Sequence, residues 1–344
     1  VRGFGAAWPR PQIDASRIAV ESSFNNASFQ GPVSINFAAF SVPTRQGVHC
    51  PQLSSSKNFI RLSATAFMSS LSDKTTTARF GSIAAGFLIG TRWVVGVSNH
   101  AFLDRSWATS VRSGQRLGDD SVSFTETFNS RGGIGENRLA VSYQLHPRLL
   151  LGAGLHLFSG ENRINLQRQF DDSVRYGSLD RDITLSYTGT GASAGVILNP
   201  VRGVSLAASY RHGGTMRLRV VDTIRTEAKV PSRFGAALRL DVISGLTLLA
   251  SADRNEWSKL NGLGSTTARG LDAWEYAAGA QFAGQRTRNT AWTYSVGYRQ
   301  RDLPFAAAGS VVSEKIYAGG VSVPVAGPRA MLDLALQRAA RDAA

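Results

Sequence analysis

From Arg233 onward the chain alternates. Phe234, Ala236, Leu238 and Leu240 fall on one side, and Arg233, Gly235, Ala237, Arg239 and Asp241 on the other. That is the two-residue period of a β-strand rather than the 3.6-residue period of a helix. After a break at Val242-Ile243-Ser244-Gly245 the pattern resumes, with Leu246, Leu248, Ala250 and Ala252 against Thr247, Leu249, Ser251, Asp253 and Asn255. The stretch from Pro231 to Trp257 therefore predicts two strands and a tight turn, with one side almost purely apolar and the other a mixture of Gly, Ser, Arg and Asp. In a soluble sandwich the apolar side is the core. In an outer-membrane barrel it faces lipid, and the mixed side encloses a lumen.

The same period recurs along most of the chain. It predicts strands at 33–40, 75–89, 92–112, 120–145, 148–170, 182–198, 203–222, 228–242, 245–259, 272–285, 290–302, 311–324 and 328–338. Residues 1–31 read as irregular, and 43–74 as a long Ser/Thr-rich loop in which 58–68 could extend a strand. Short connections (Gly90-Thr91, His146-Pro147, Val242 to Gly245) alternate with longer polar ones near 113–119, 171–181, 223–230, 260–271 and 303–310. Short turns on one rim and long loops on the other characterise bacterial outer-membrane barrels. Trp93, Trp107, Tyr143, Tyr210, Trp257, Trp274, Tyr276, Trp292, Tyr294 and Tyr298 lie toward strand ends, where interfacial aromatic girdles sit. The inventory holds thirteen strands, whereas bacterial barrels have an even number. It predicts a barrel of about 14 strands whose last strand is missing from this chain.

Composition sharpens the picture. The 344 residues are 43% hydrophobic with 35 Gly, and no run of 18 apolar residues occurs, which excludes a spanning helix. The formal charge of +14 is carried mostly by Arg. These arginines are scattered rather than clustered, which argues against nucleic-acid binding and suits a lumen lining or contacts with lipopolysaccharide phosphates. The single Cys50 excludes an internal disulfide. No charged-then-apolar leader opens the chain, so a signal peptide is expected to have been removed.

Motifs for chemistry are few. Gly191-Ala192-Ser193-Ala194-Gly195 matches the G-x-S-x-G pattern, but that elbow needs a strand before it and a helix after it. Here strand character continues on both sides, so small residues in a strand are the expectation. His49, His100, His146, His156 and His212 show no ligand spacing, and neither a metal nor a cofactor is expected. Asp171, Asp172, Asp180 and Asp182 form an acidic group read as a solvated outer loop. Two stretches break the alternation. Within 182–198 the apolar side is odd-numbered through Tyr187 and even-numbered from Ala192, which predicts a bulge in Thr188–Gly191, including Gly189. In 92–112, polar Asn99, flanked by Ser98 and His100, interrupts the face of Trp93, Val95, Val97, Ala101 and Leu103, a costly placement against lipid. Both are candidate lateral openings.

Several phrases resemble the FadL-type outer-membrane transporters. They are Phe102-Leu103-Asp104-Arg105-Ser106-Trp107, Arg131-Gly132-Gly133-Ile134, Leu151-Gly152-Ala153-Gly154-Leu155-His156, Thr184-Leu185-Ser186-Tyr187, Gly297 to Phe305, and Pro324-Val325-Ala326-Gly327. The resemblance spans roughly 22–338. It implies a 14-stranded barrel (32–344) plugged by an N-terminal hatch (1–31), in which Asn25-Asn26-Ala27 stands where the family carries Asn-Pro-Ala. It also implies a lateral opening in the third strand, and a passive route for hydrophobic molecules such as long-chain fatty acids in a monomeric protein. Arg211, Arg233, Arg239 and Arg299 are the candidates to meet a substrate head group in the lumen. The rival expectation is a sealed barrel that scaffolds surface or secretion partners. No enzyme is expected, since no Ser, His and acid can be assigned from strand positions.

Overall fold

The computed structural model describes residues 33–37, 59–68, 76–90, 92–105, 107–117, 120–220, 223–243, 245–263, 269–284, 292–307, 310–324 and 331–343. The expected hatch, with Asn25, Asn26 and Ala27, lies outside them. Sixteen strands are present among the described residues: β1 Val33–Phe37, β2 Phe59–Met68, β3 Thr76–Ile89, β4 Trp93–Asp104, β5 Trp107–Leu117, β6 Asp120–His146, β7 Leu149–Phe170, β8 Leu179–Leu198, β9 Val204–Val220, β10 Thr223–Lys229, β11 Arg233–Ile243, β12 Leu246–Asn255, β13 Ala273–Ala283, β14 Thr293–Ala307, β15 Ser310–Pro324 and β16 Met331–Ala343. A one-turn 3-10 helix, Trp257–Leu260, follows β12.

All pairings are antiparallel, and they return on themselves. Strands β1–β4, β6–β9 and β11–β16 each pair on both sides, with β16 bonded to β1 and β8 to β9. This is a ring of fourteen. The thirteen-strand reading is corrected at one place: Phe59–Met68 is a strand of the wall, pairing β1 on one side and β3 on the other, and the ring needs no strand beyond β16. Two further corrections concern the long-loop rim. The predicted 92–112 strand breaks after β4, and β5 pairs only the outer part of β6, from Trp107↔Ser130 to Leu117↔Asp120. The predicted loop at 223–230 is largely β10, folded back on the outer end of β9.

The wall is inside out relative to a soluble protein. Phe234 is 49% exposed, Leu248 38%, Leu155 61% and Leu336 60%, whereas inward-facing Glu136 and Arg233 are 0% and 2% exposed. Closure explains why this is stable: hydrocarbon offers no partner for backbone N–H and C=O groups, and a ring leaves no unpaired edge. Aromatic side chains mark both limits of the apolar band. Tyr210↔Phe234↔Arg254↔Trp274 form a row across β9, β11, β12 and β13 on the long-loop side, with the Arg254 guanidinium 5.7 Å from the Trp274 ring. Phe282, Trp292 and Tyr294 mark the short-turn side. From Trp274 to Phe282, at about 3.3 Å per residue and a tilt near 40°, the band is about 20 Å tall, close to the roughly 25 Å of outer-membrane barrels. Trp257 is not part of a girdle; it is buried inside the ring.

Because lumenal charges sit in a low-dielectric wall, their pairs are sensitive to being broken rather than to being replaced. Arg233 meets Asp253 at 2.9 Å with both side chains buried. Asp253→Leu alone is expected to destabilise the barrel by about 3–5 kcal/mol in denaturant unfolding from lipid, and adding Arg233→Met to recover most of that loss.

Candidate functional site

The interior is layered along the barrel axis. In the short-turn half, inward positions are small: Ala140 and Ser142 on β6, Gly152 on β7, Gly195 on β8, Ala237 on β11, Ala277 on β13. Larger inward side chains stand among them, with Leu150 and Ile197 packed together near the short turns and Leu249 and Arg239 buried on β12 and β11.

Above them lies a belt of charge. Glu136 is its most connected member. One carboxylate oxygen lies 3.0 Å from His100 Nε2 and accepts from Arg211 Nη1 at 3.1 Å, while the other accepts from His156 Nδ1. A carboxylate can only accept, so Nδ1 of His156 carries the proton and Nε2, 2.8 Å from Ser193 Oγ, accepts the serine hydroxyl. Arg138 Nη2 donates to that same Oγ at 3.3 Å. The register explains the meeting. His156 stands directly opposite Arg138 on β6 and Gly191 on β8, so Glu136 and Ser193 are its diagonal neighbours. Gly154, opposite Ser193, leaves the hydroxyl its space, since a Cβ there would lie 2.8 Å from Oγ. Around the ring the belt continues with Arg233–Asp253, Arg299–Glu275 at 3.4 Å, and Glu314 held between Arg301 and Arg341, while Arg239–Asp241 at 2.8 Å lies apart from it, nearer the short turn of β11.

Toward the long loops the lumen turns apolar. Phe102, Ile134, Phe158, Tyr187, Met216, Leu218, Val230, Trp257 and Leu263 form one buried cluster. Phe102 packs edge-on against Phe158 at 4.7 Å and stacks on Trp257 at 5.6 Å. The Arg211 guanidinium lies 5.7 Å from both phenyl rings, joining belt to cluster. The 3-10 turn thus folds into the ring and covers this part of it. Its tether is Asp272, whose carboxylate accepts from the Ser258 amide at 3.2 Å and from the Ser258 hydroxyl at 2.6 Å.

The sequence candidates distribute as follows. Arg211, Arg233, Arg239 and Arg299 are all buried in the lumen, and each already has a carboxylate partner. Ser98 and His100 point inward; Asn99 points outward, where its amide donates to Asn137 at 2.7 Å, so the two polar groups satisfy each other on the apolar face. The β3–β4 ladder runs from Ile89↔Trp93 to Ser82↔His100 and ends there. Beyond that point Thr76–Phe80 keep their partners on β2 and Leu103–Asp104 theirs on β6. The second break is of another kind. The β8–β9 register does shift between Gly189 and Gly191, but the extra residue belongs to β9, and β8 stays in unbroken register with β7. The apparent change of phase arises because Tyr187 and Leu185 pack inward, against the apolar cluster. Thr188 faces out, and a Cβ at Gly189 would touch Met216 and Val230 at 3.3 Å. Of the acidic group, Asp180 and Asp182 accept from Asn165, and Asp171 pairs with Arg112.

No family model and no curated protein matches the chain. Among solved structures, a Pseudomonas aeruginosa FadL homologue aligns at 14% identity with a TM-score of 0.48, over 98% of this chain and 95% of that one. The CymD monoaromatic hydrocarbon channel aligns at 12% identity and a TM-score of 0.47, over 99% and 96%. The Pseudomonas putida toluene transporter TodX aligns at 11% identity and 0.38, over 89% and 88%. The chain is similar to FadL-type barrels. At these values the likeness is one of chain path; the site rests on its own geometry.

Asp272 gives a test of the cap. Burial alone would raise its carboxyl, but the two Ser258 bonds and the Arg254 guanidinium outweigh this and hold it below the ordinary carboxylate range. A folded-state value below the unfolded one contributes stability above the unfolded value, and that contribution is lost as pH falls through the folded one. After correction for intrinsic exchange, the Ser258 amide should stay protected down to the ordinary carboxylate range and lose protection only below it. In Asp272→Asn, protection should be lower and flat across that window.

Proposed function

We propose that the protein is an outer-membrane transporter for passive uptake of hydrophobic molecules, long-chain fatty acids among them, with a lateral exit at the seam between β3 and β4. The observation that carries this reading is the end of the β3–β4 ladder at Ser82↔His100, beyond which Thr76–Phe80 pair with β2 and Leu103–Asp104 with β6 rather than with each other. Backbone groups that leave a ladder at membrane depth must find partners in the protein, in water or in a passing ligand. Such a seam is therefore a place where wall and lumen communicate.

In this reading Ser98, Asn99 and His100 border the exit, and Thr188, Gly189 and Gly191 are assigned to the wall instead, because the side chains of Met216 and Val230 lie against Gly189. An apolar tail gains about 0.8 kcal/mol per CH₂ on leaving water, so release rather than capture limits passage, and a sideways route keeps the tail out of water throughout. A carboxylate head crosses the belt by exchanging places with the carboxylates that hold Arg211, Arg233, Arg239 and Arg299, one partner for another of the same charge. Residues 1–31, with Asn25-Asn26-Ala27, serve as the hatch that shifts. Arg254 beside Trp274 suits a lipopolysaccharide phosphate at the rim. The protein works as a monomer, without a cofactor.

The buried Trp257 turn favours the second reading, a sealed barrel that serves as a scaffold. Cysteines at Arg79 and Leu103, in a Cys50→Ala background, separate the two. Oxidation should staple the seam and lower fatty-acid uptake by cells several-fold, with recovery on reduction. Equal uptake in the oxidised and reduced states, at the level of cells lacking the protein, supports the scaffold.

A further inference from the structure

Passive transport leaves Ser193 and His156 unused, and it engages Glu136 only through Oε2, the oxygen that holds Arg211; the other, Oε1, belongs to His156. The hydrogen bonds of the three run in one direction, from the Ser193 hydroxyl to His156 Nε2 at 2.8 Å, and from His156 Nδ1 to a carboxylate. That is the order of donors and acceptors an activated serine requires: a base on the hydroxyl, and an acid that fixes the tautomer of the base. Burial grades in the same sense. Glu136 and His156 are sealed, at 0% and 1% exposure, whereas Ser193 is partly open to the small-residue half of the lumen, beside Gly152 and Gly195. Arg138 brings a guanidinium nitrogen to 3.3 Å from the same oxygen, where it can donate to an oxygen that gains negative charge. A pure brace would need neither the ordered tautomer nor a hydroxyl facing the passage.

We propose that Ser193 is the nucleophile of a lumenal hydrolase acting on short-chain carboxylic esters. Ser193 Oγ attacks the ester carbonyl carbon while its proton passes to His156 Nε2, and the carbonyl oxygen becomes an oxyanion against Arg138. The intermediate collapses by breaking the bond to the alcohol oxygen, which takes the proton from His156 and leaves. Water then attacks the acyl-serine, its proton going to His156 and back to Ser193 Oγ as that ester bond breaks. The sum is ester plus water giving acid plus alcohol, with no oxidant or metal involved. Glu136 is a positioning residue, holding His156 and offsetting its transient charge. The substrate is short because it must reach Oγ beside Gly152, Gly154 and Gly195, below the packed Phe102–Phe158 layer.

The test uses the full chain in detergent micelles, with p-nitrophenyl acetate as substrate and a fluorophosphonate as serine probe, so that its outcome is independent of any uptake measurement. The wild-type protein is expected to release p-nitrophenol above the micelle blank and to be labelled at Ser193. Ser193→Ala, shown to be folded by its heat-modifiable mobility, should lose about 10³-fold or more of the activity. Glu136→Gln should lower kcat with KM held; a change in KM alone would remove Glu136 from the relay. Turnover equal in wild type and Ser193→Ala, no turnover in either, or labelling of Ser193 without turnover would each overturn the hydrolase assignment. The labelling arm needs no variant, so it stands if Ser193→Ala fails to fold.

Discussion

Hydrocarbon cannot hydrogen-bond a peptide group, and every feature of this chain follows from that constraint. A wall of strands survives in lipid only if each strand has a neighbour on both sides, which forces the ring that closes through β16–β1 and β8–β9. Once the ring is closed, the two faces of every strand meet different solvents. Phe234, Leu155 and Leu336 can lie bare on the outside only because lipid, not water, is there. The charges displaced from that face collect inside and have to neutralise one another. The β3–β4 ladder ends at Ser82↔His100, and beyond it the two strand edges take no ladder bonds from each other.

The interior then sorts by side-chain size and polarity along the axis. Gly, Ala and Ser mix with Leu150, Ile197 and Leu249 in the short-turn half, the belt around Glu136 braces the strands against one another, and the Phe102–Trp257 cluster fills part of the long-loop half. Arg211 links the last two, since it pairs with Glu136 and lies over Phe102 and Phe158. The apolar cluster thus lies on the long-loop side of the Glu136 belt. The same belt also holds one serine–histidine–carboxylate relay on its short-turn side. Transport and hydrolysis would share Glu136, one through its bond to Arg211 and the other through its bond to His156.

Much of this was legible in the chain, because a strand's period shows directly in its residues. The Phe234–Leu240 and Leu246–Ala252 alternation maps onto the β11–β12 hairpin with Leu238 opposite Ala250. Asn99 stands out on the apolar face as its neighbours predict. Strand β2 was harder to read, since Phe59–Met68 mixes Ser, Thr and Ala into both faces inside a polar stretch. The slip at Tyr187 misled for an instructive reason: period-2 reasoning assumes a polar lumen, and here the lumen itself changes polarity along its axis. The meeting of Glu136, His156 and Ser193 was out of reach, because it depends on the registers of β6–β7 and β7–β8, and those depend on how far the long hairpins run. The one trace was G-x-S-x-G, whose first glycine, Gly191, stands opposite His156, where a Cβ would lie 3.5 Å from the Phe158 ring and 3.6 Å from His156 Cβ.

The central claim is that the apolar side of these strands touches lipid while the mixed side encloses an aqueous space. Spin labels on single cysteines in bilayer nanodiscs, at Leu155, Leu248 and Leu336 against Gly195, Ala237 and Ser251, measure this directly by relaxation with oxygen and with a water-soluble nickel chelate. The account predicts oxygen-dominated relaxation for the first three and chelate-dominated relaxation for the second three. Leu155 and Leu248 labels shielded from both agents, or relaxed by the chelate, would contradict it.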